Sequence, residues 1–562
     1  MYNSCLLTGV FSKQWKRARL VLLDKGKGEP NLPSSWRPLC MLDTAGKGYE
    51  KLLQLRLVPA VEEAGDLSAR QYGFRKGRST VDALLDVVTS LKRTQEGSRY
   101  TRNVAILVTL DVKNAFNSAR WSDILEALEG TFHVPPYLLR VMGNYLKDRN
   151  LVYETAQGQR VKEITAGAAQ GSILGPQLWN VAYDGVLRLE MPTDCFLVGY
   201  ADDVAAVIQA RTIELAQVKL DVIMRRITRW MDEHGLTLAT SKTEVVLFTR
   251  KRIPTIIPIQ VGGTEVWTKP AAKYLGIMLD TKITFWEQIK QATDRASQRT
   301  TALSRLMGNI NGPRPCKRRL LMTVVHSILL YGAEVWADAL NIAYYRKRMI
   351  AVQRRGALRI ACAYRTVSEP AILVLARVIP IQLLAAERKR MYERRTEGPR
   401  TAIAKEERER TVTAWQEMWT REVRGRWTAR LVPDVQTWLQ REHGEVNYFT
   451  TQFLSGHGLF YAYLHRIGKV TTPSCLSCDG VADDALHTFF ECSQWGQDRN
   501  ALQQALNRTS ADLTPEIVMS HMLSSQADWT AVSEYVEVVL TKKMVMERVR
   551  QRAEQGGQRR EE

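Results

Sequence analysis

The sequence predicts an α+β fold in which short buried strands precede a mainly helical second half. Two apolar runs, residues 104–110 and 196–208, have the length and composition of strands, and acidic residues adjoin both. Residues 213–230 place apolar side chains at three- and four-residue intervals, which predicts an amphipathic helix. From about Thr284 the pattern is helical, with Arg and Lys interleaved among apolar positions. The strands are therefore expected in the first half of the chain.

Asp202 and Asp203 interrupt the second apolar run. This pattern predicts two strands joined by a tight turn with an acidic tip. Two carboxylates about 4 Å apart repel by roughly 4 kcal/mol at an effective dielectric near 20. A divalent cation is the usual means of offsetting such repulsion. The alternative is a solvated turn, because Asp is common in turns.

Asp111 favours the metal interpretation, since it directly follows the other apolar run. If the strands converge, Asp111, Asp202 and Asp203 can supply oxygen ligands to two Mg²⁺ ions. Two metal ions about 4 Å apart can activate an attacking hydroxyl and stabilise the leaving oxygen of an in-line displacement at phosphorus. The three carboxylates therefore indicate nucleotidyl transfer.

Three segments match the palm motifs of reverse transcriptases in order and spacing: TLDVKNAFNSARW, AGAAQGSILGPQLWNVAYDG and GYADDVAAV. The chain resembles the reverse transcriptases of non-long-terminal-repeat retrotransposons, in particular the insect type-1 (R-one) elements that insert in ribosomal RNA genes. The resemblance extends to about Trp495. It implies a right-hand polymerase with fingers, palm and helical thumb, followed by a charged helical linker and a CCHC zinc finger.

The resemblance also implies domain boundaries. The expected domains are fingers at 1–103, a palm with catalytic motifs and primer grip at 104–283, a helical thumb at 284–380, a charged helical linker at 381–470, a CCHC zinc finger at 471–496 and a C-terminal helical tail at 497–562. Because the sequence begins abruptly within the fingers, we expect an N-terminal truncation that removes the upstream endonuclease domain of type-1 elements.

Bulk charge favours a nucleic-acid partner. The 562 residues carry a formal net charge of +20, and neutralised phosphates release counterions on binding. The alternative is a generally basic protein that binds nucleic acid non-specifically. Eight irregularly spaced cysteines favour a reducing compartment over a disulfide framework. No apolar run approaches a membrane span in length, and residues 1–20 lack a signal-peptide core, so no membrane partner is expected.

Two basic clusters lie in the expected fingers. The resemblance implies that Lys25 and Arg37 contact the incoming triphosphate, with Lys27 and Gly28 in the same turn as Lys25; a solvated basic surface is the alternative. The segment QYGFRKGRSTVDAL is similar to the family segment that lies along the template. In it, Gly73 permits close backbone approach and Arg75 adds positive charge.

Three palm residues are assigned to the nucleotide by the resemblance. Phe116 lies where such polymerases place an aromatic ring under the sugar, and a bulky ring there excludes a 2′-hydroxyl. An ordinary core aromatic is the alternative. Gln170 and Gly171 begin a small-residue turn that lets the backbone approach the nucleotide and template-primer, and their Gly- and Pro-containing context predicts a loop in either case.

The final palm motifs concern the phosphates and the primer. Lys242 is similar to a family lysine that approaches the nucleotide phosphates as a general acid or charge stabiliser, although a solvated turn lysine is nearly as good an explanation. The segment AAKYLGIMLD resembles the hairpin that positions the primer 3′ end, with Tyr274, Leu275 and Gly276 at its turn.

The clearest metal pattern is near the C-terminus. Four residues with the spacing Cys-x2-Cys-x8-His-x4-Cys suit one tetrahedral Zn²⁺: Cys475, Cys478, His487 and Cys492. A closed set of four ligands favours a structural ion. By resemblance the finger binds element RNA or target DNA. Endonuclease activity in this C-terminal region is a minor alternative, since the sequence downstream contains no convincing catalytic motif.

These features predict a nuclear RNA-directed DNA polymerase of a mobile element, synthesised and assembled with its RNA in the cytoplasm. Asp111, Asp202 and Asp203 would hold two catalytic Mg²⁺ ions, and one structural Zn²⁺ would occupy the finger. The expected partners are element RNA, deoxynucleoside triphosphates and the nicked target DNA of a ribosomal RNA gene, which supplies the primer. Two alternatives are a maturase-like RNA-binding protein and an inactive relic that binds RNA or DNA.

Overall fold

The computed structural model describes residues 1–26, 29–98, 102–310, 312–507 and 513–561, and Lys27 and Gly28 lie outside these ranges. The chain divides into two compact units, Met1–Phe285 and Trp286–Glu562. The first unit contains all twelve strands of the described chain, whereas the second is helical, as the sequence predicts. The expected fingers and palm fall in the first unit, and the expected thumb, linker, finger and tail fall in the second.

The first unit contains eight helices and twelve strands within the described residues. The helices are α1 Tyr2–Thr8, α2 Thr44–Glu63, α3 Thr80–Thr94, α4 Ala115–Ser118, α5 Trp121–Glu126, α6 Pro136–Leu146, α7 Gly175–Leu187 and α8 Ile213–Glu233. The strands are β1 Arg17–Asp24, β2 Trp36–Met41, β3 Val104–Leu110, β4 Arg149–Thr155, β5 Gly158–Ile164, β6 Cys195–Tyr200, β7 Asp203–Ala210, β8 Glu244–Phe248, β9 Pro258–Val261, β10 Thr264–Trp267, β11 Ala271–Tyr274 and β12 Ile277–Asp280.

The central sheet has the order β6-β7-β3-β8. All its neighbouring pairs are antiparallel. Strands β3 and β7 are almost wholly buried because both of their faces are apolar, and α8 packs against β7. The predicted amphipathic helix is therefore confirmed as α8, and it covers the sheet that carries the acidic residues.

A second sheet has the order β2-β1-β4-β5. The pairs β1–β2 and β4–β5 are antiparallel, and β1 pairs with β4 in parallel over a short register. Two further antiparallel hairpins, β9–β10 and β11–β12, follow the central sheet in the chain. This arrangement places the basic segment around Arg37 on a sheet separate from the one that carries the aspartates.

The second unit consists of fourteen helices in the described residues. They are α9 Trp286–Ser304, α10 Pro315–Leu329, α11 Ala333–Trp336, α12 Ala343–Ile360, α13 Glu369–Leu375, α14 Ile381–Glu393, α15 Arg400–Arg421, α16 Arg426–Leu431, α17 Val435–Gln440, α18 Tyr448–Ser455, α19 Tyr461–Arg466, α20 Gly496–Ala505, α21 Pro515–Ser524 and α22 Gln526–Glu561. Helices α9, α10 and α12 pack together, and α14 packs on α15. Trp415 and Trp419 of α15 are buried, so the charged segment also contributes apolar residues to a core.

Within the described ranges, no single helix has both the length and the hydropathy needed to cross a membrane. Pro315–Leu329 with Ala333–Asn341, bent by 54°, meets that test as a pair on length and composition alone.

Candidate active site

The register of the central sheet brings Asp111 to Asp203. In the β3–β7 ladder Leu110 pairs with Val204, so the next position places Asp111 opposite Asp203. Directly opposed residues on antiparallel strands have Cα atoms about 4.5–5.5 Å apart. Asp203 also pairs with Tyr200 of β6 across the turn. The acidic centre, defined as Asp111, Asp202 and Asp203, is thus assembled by the pairing of three strands.

The turn between β6 and β7 consists of Ala201 and Asp202. Ala201 has φ of +58°, in the left-handed region that residues with a Cβ rarely adopt. This conformation reverses the chain within two residues and leaves Asp202 half-buried and Asp203 exposed at the start of β7. The predicted acidic tip is confirmed, and its sharpness depends on a strained alanine.

The carboxylates influence one another electrostatically. Asp203 is open to solvent at the turn, but desolvation by the surrounding protein, followed by the charges of Asp202 and Asp111, raises its pKa to about 6. Burial is also the largest effect on Asp202 and raises its pKa; the Asp111 charge adds to the increase, while Arg37 and Lys242 oppose it. Oxygen ligands that repel one another in this way fit a divalent cation.

Two of the predicted basic residues approach the acidic centre. Lys242 lies in the 3₁₀ turn Thr240–Lys242, and its Nζ is 2.6 Å from Oδ2 of Asp111. The preceding loop is held at the same place, since the Ala239 amide donates to the Asp111 carbonyl at 2.7 Å. Arg37 on β2 is near enough for its charge to lower the pKa of Asp202. Lys25 is exposed just beyond β1, with its amide donating to the Ser35 carbonyl at 2.9 Å.

Phe116 stands beside the acidic centre on the short helix α4. Its half-buried ring lies with its centroid 5.2 Å from the Trp179 ring and 6.0 Å from the Phe74 ring. Trp179 in turn stacks on Tyr183 at 4.8 Å. Phe116 therefore lies between the exposed ring of Phe74 and a buried aromatic column, and Trp179 packs against it on the buried side.

Gln170 and Gly171 join the central motif to β2. The Cys40 amide donates to the Gln170 carbonyl at 2.8 Å. Gly171 has φ of +118°, and a Cβ on it would lie 2.5 Å from the Cys40 carbonyl oxygen. Gln170 and the residues just before it line a cavity of about 430 Å³ that is bordered by β1, β2, β4 and β5. The glycine is thus required by close packing on β2.

The β11–β12 hairpin matches the predicted primer-positioning segment. Tyr274 is the last residue of β11, and Leu275 and Gly276, with φ of +44° and +89°, form the turn. Tyr274 is buried, and burial followed by the charge of Asp203 raises the pKa of its hydroxyl. The hairpin therefore lies near enough to the acidic centre for the charge of Asp203 to act on Tyr274.

Two of the predicted template residues have structural contacts. A Cβ on Gly73 would lie 2.1 Å from the Ala201 amide nitrogen, so its close approach is to the acidic turn. Arg75 is largely buried; its guanidinium donates to the Ser68 carbonyl at 2.9 Å and forms an ion pair with Asp66. Arg75 is thus engaged by a carboxylate and a carbonyl of its own segment, and its contact with the template stays a prediction.

Three further side chains support the site and were not predicted from the sequence. Gln71 accepts a hydrogen bond from the Ala201 amide at 3.3 Å, and Trp179 donates to the Ala201 carbonyl at 3.2 Å. Glu50 of α2 is buried and accepts from the Ile173 amide at 2.6 Å, which fixes the loop after Gly171. Gln71 lies in the segment QYGFRKGRSTVDAL and Trp179 in AGAAQGSILGPQLWNVAYDG. Their place in these two motifs is the sequence feature that could have indicated them.

The second unit contains the predicted zinc ligands, which together form the Cys/His cluster. Their ligand atoms all lie within 4.8 Å of one another: Cys475, Cys478, His487 and Cys492. The Cys492 sulfur is 3.9 Å from that of Cys475 and 3.8 Å from that of Cys478. Ligands about 2.3 Å from a tetrahedral centre stand about 3.8 Å apart, so these spacings fit Zn²⁺.

The chemistry of the cluster also suits a soft divalent metal. Hydrogen bonds from Ser493 lower the pKa of the Cys478 thiol to about 6, which favours the thiolate form that binds metal. His487 is buried, and neither ring nitrogen makes a hydrogen bond of normal geometry within the described part of the chain. The cluster is supported by α22, where Lys543 contacts both oxygens of Asp483 at 2.7 and 2.8 Å.

Comparison with known proteins defines the class of the first unit. Residues 24–279 match the family model described as reverse transcriptase (RNA-dependent DNA polymerase). This stretch contains β3, β6, β7 and the acidic centre, and its mixed helices and strands fit the polymerase fold of that family, whose members generally use divalent metal ions.

The full chain is similar to proteins of mobile elements. It is 27% identical over 524 residues to a putative 115 kDa protein in the type-1 retrotransposable element R1DM of Drosophila melanogaster, covering 89% of this chain and 49% of the relative. It is 29% identical over 359 residues to a probable RNA-directed DNA polymerase from transposon BS of the same species, covering 62% and 39%. These similarities confirm the resemblance of the motifs to reverse transcriptases of non-long-terminal-repeat retrotransposons.

The chain spans 49% and 39% of the length of these two relatives, about half or less. Among solved structures, apo telomerase from Candida tropicalis is similar, with a TM-score of 0.36 and 9% identity over 65% of this chain and 67% of that chain.

Proposed function

We propose that the chain is an RNA-directed DNA polymerase that copies RNA into DNA by nucleotidyl transfer at the acidic centre. The observation that carries this proposal is the β3–β7 register, which sets Asp111 opposite Asp203 at the tip of a hairpin. Asp111, Asp202 and Asp203 would hold two Mg²⁺ ions. When bound, these ions activate the primer 3′-hydroxyl for attack on the α-phosphate and neutralise the departing pyrophosphate.

The surrounding side chains have complementary roles in this proposal. Arg37 and Lys242 place positive charge beside the carboxylates, where a triphosphate would accumulate negative charge. Lys242 is mostly exposed and ion-paired with Asp111. Its ammonium group can therefore leave the Asp111 carboxylate and pair with a phosphate oxygen instead. Phe116 forms a rigid wall that excludes a ribose 2′-hydroxyl. The turn at Leu275 and Gly276 supports the primer end beside Asp203.

Primer extension on an RNA template tests the proposal. Asp202→Asn with Asp203→Asn should lower synthesis at least about 1,000-fold, since transition-state stabilisation by the ions is lost, while salt-dependent RNA binding persists. Asp221→Asn with Asp232→Asn removes the same two charges from the exposed face of α8 and should retain activity. Undiminished synthesis by the first variant refutes the site assignment. RNA binding without extension by the unmodified chain would favour the maturase-like or inactive alternative.

The Cys/His cluster is proposed to hold one structural Zn²⁺. The spacing of its sulfur atoms and its buried imidazole support a closed tetrahedral site. Contact of this finger with element RNA or target DNA, priming from a nicked ribosomal RNA gene, and nuclear localisation extend the proposal by analogy with type-1 elements. Elemental analysis of the purified chain should find one zinc per molecule, and cysteine substitutions should remove it.

A further inference from the structure

Ala201 is held on both sides by side chains from distant segments. Its amide donates to Oε1 of Gln71 at 3.3 Å, and its carbonyl accepts from Nε1 of Trp179 at 3.2 Å. Ala201 lies in the turn, outside the β6–β7 ladder that ends with the pair Tyr200–Asp203. These two hydrogen bonds therefore satisfy the amide and the carbonyl of a buried turn residue that lies outside the ladder.

Gln71 and Trp179 together form the Ala201 clamp, and both side chains are themselves held in place by neighbouring groups. Gln71 is fully buried, its Oε1 also accepts from the Gly73 amide at 3.0 Å, and its backbone bridges to Gly199 of β6. Trp179 is buried within α7, and its neighbour Asn180 donates to the Gly73 carbonyl at 2.8 Å. A strained residue persists when its surroundings over-determine it. Here the segment before Phe74 and helix α7 together determine the conformation of the turn.

Trp179 also contacts Phe116, the residue proposed to select the sugar of the nucleotide. Its ring lies 5.2 Å from the ring of Phe116, with an interplanar angle of 30°. One indole thus touches both the carbonyl that precedes Asp202 and the ring proposed to exclude a 2′-hydroxyl. A displacement of this indole would move both groups together.

We propose that Trp179, assisted by Gln71, is the positioning residue that sets divalent-cation affinity and deoxynucleotide selection jointly, because it links the Ala201 turn to Phe116. This inference rests on the proposed polymerase function. It assigns no contact between Trp179 and the substrate. The indole acts through the geometry of Asp202 and through the ring of Phe116.

Trp179→Phe tests the clamp because it keeps an aromatic ring in the column and removes the N–H donor. Trp230→Phe is a matched control: Trp230 packs in the same column, 5.7 Å from the Tyr183 ring, without contact to Ala201. Mn²⁺ binding, measured by electron paramagnetic resonance on the zinc-loaded chain, gives a readout independent of catalysis. Mn²⁺ affinity should fall about tenfold in Trp179→Phe and stay within twofold in Trp230→Phe.

The second readout is the ratio of kcat/KM for deoxynucleotides to that for ribonucleotides, which should fall about tenfold in Trp179→Phe alone. Gln71→Met, which removes the acceptor for the Ala201 amide, should weaken Mn²⁺ binding and leave the sugar ratio within threefold. Equal shifts in Trp179→Phe and Trp230→Phe, or no shift in Trp179→Phe, overturn the inference. Failure of the proposed function has a different signature, namely Mn²⁺ binding that is unchanged by Asp202→Asn with Asp203→Asn.

Discussion

The acidic centre and the Cys/His cluster gather metal ligands in opposite ways. Asp111 reaches Asp203 through the pairing of two buried strands, whose apolar residues fix the register. The cysteines and the histidine lie within one short stretch of turns, in which the π-turn His487–Glu491 and the 3₁₀ turn Ser493–Trp495 are the regular elements. Strand packing can thus preform a site whose carboxylates repel one another. The proposed zinc site is encoded locally, and its loop would depend on the ion to hold it.

Metal removal should expose this contrast most strongly. Stripping zinc should release the loop around Cys475 and Cys478, because structural Zn²⁺ binding contributes on the order of 10 kcal/mol to folding. Stripping Mg²⁺ should leave β3 and β7 intact, since hydrophobic packing holds them. Amide hydrogen exchange measures both effects: protection of peptides covering 473–492 should be lost without zinc and recovered on adding it. Equal loss of protection in β3 would contradict the contrast.

The docking of the cluster on α22 provides a second, smaller test. Lys543 is largely buried with Asp483 and also contacts the Thr488 hydroxyl at 3.0 Å. Lys543→Met leaves a buried carboxylate unpaired, so local stability of the cluster should fall by about 3 kcal/mol. Lys542→Met is the control, since Lys542 pairs with Asp498 in a far more exposed position and should cost less than about 1 kcal/mol. Denaturant-induced zinc release measures both variants, and equal midpoints would disprove a structural role for the buried pair.

The smallest predicted effect concerns pH at the acidic centre. Without a bound metal ion, the folded state raises the pKa of Asp203 from its ordinary value of 3.8 to about 6, so it binds more protons than the unfolded state between these values. The stability contributed by this group is present below the lower value and is lost as pH rises through about 6. Asp203→Asn should therefore stabilise the metal-free chain at pH 7 by about 1 kcal/mol, after allowance for solvent screening.

Thermal unfolding at pH 5 and pH 7 checks the sign of this effect, with Asp221→Asn as the exposed control. Mn²⁺ affinity should move in the opposite direction and rise between pH 5 and pH 7 as the carboxyl ionises. If Asp203→Asn stabilised the chain more at pH 5 than at pH 7, the pKa of Asp203 would not be raised in the folded state, and this prediction would be wrong.

The same contrast explains what could be predicted from the sequence. The strand Val104–Leu110 and the start of α8 at Ile213 were predicted correctly, because a local apolar pattern defines each of them. The Cys/His cluster was identifiable from spacing alone, and its ligand atoms do converge. The acidic centre needed the family resemblance as well, since no local pattern states that β3 and β7 are neighbours.

The remaining features depend on long-range contacts or carry weak patterns. The β4–β5 hairpin was not predicted, because its residues are mostly exposed and lack apolar alternation. The ion pair of Arg75 with Asp66 was not predicted, because no local pattern indicates that these two side chains meet. The contact of Gln71 with Ala201 crosses much of the first unit in sequence, and only the folded chain reveals it.

The antiparallel register of β3 and β7 also constrains how such a chain can diverge. Successive side chains on a strand alternate between faces, so inserting or deleting one residue between Val104 and Asp111 would turn the carboxylate away from its partners. Length changes in β3 or β7 should therefore be excluded among active descendants, while the exposed turn between β4 and β5 can lengthen freely. In this fold, drift in length should be confined to the exposed hairpin, and the two buried strands should change by substitution alone.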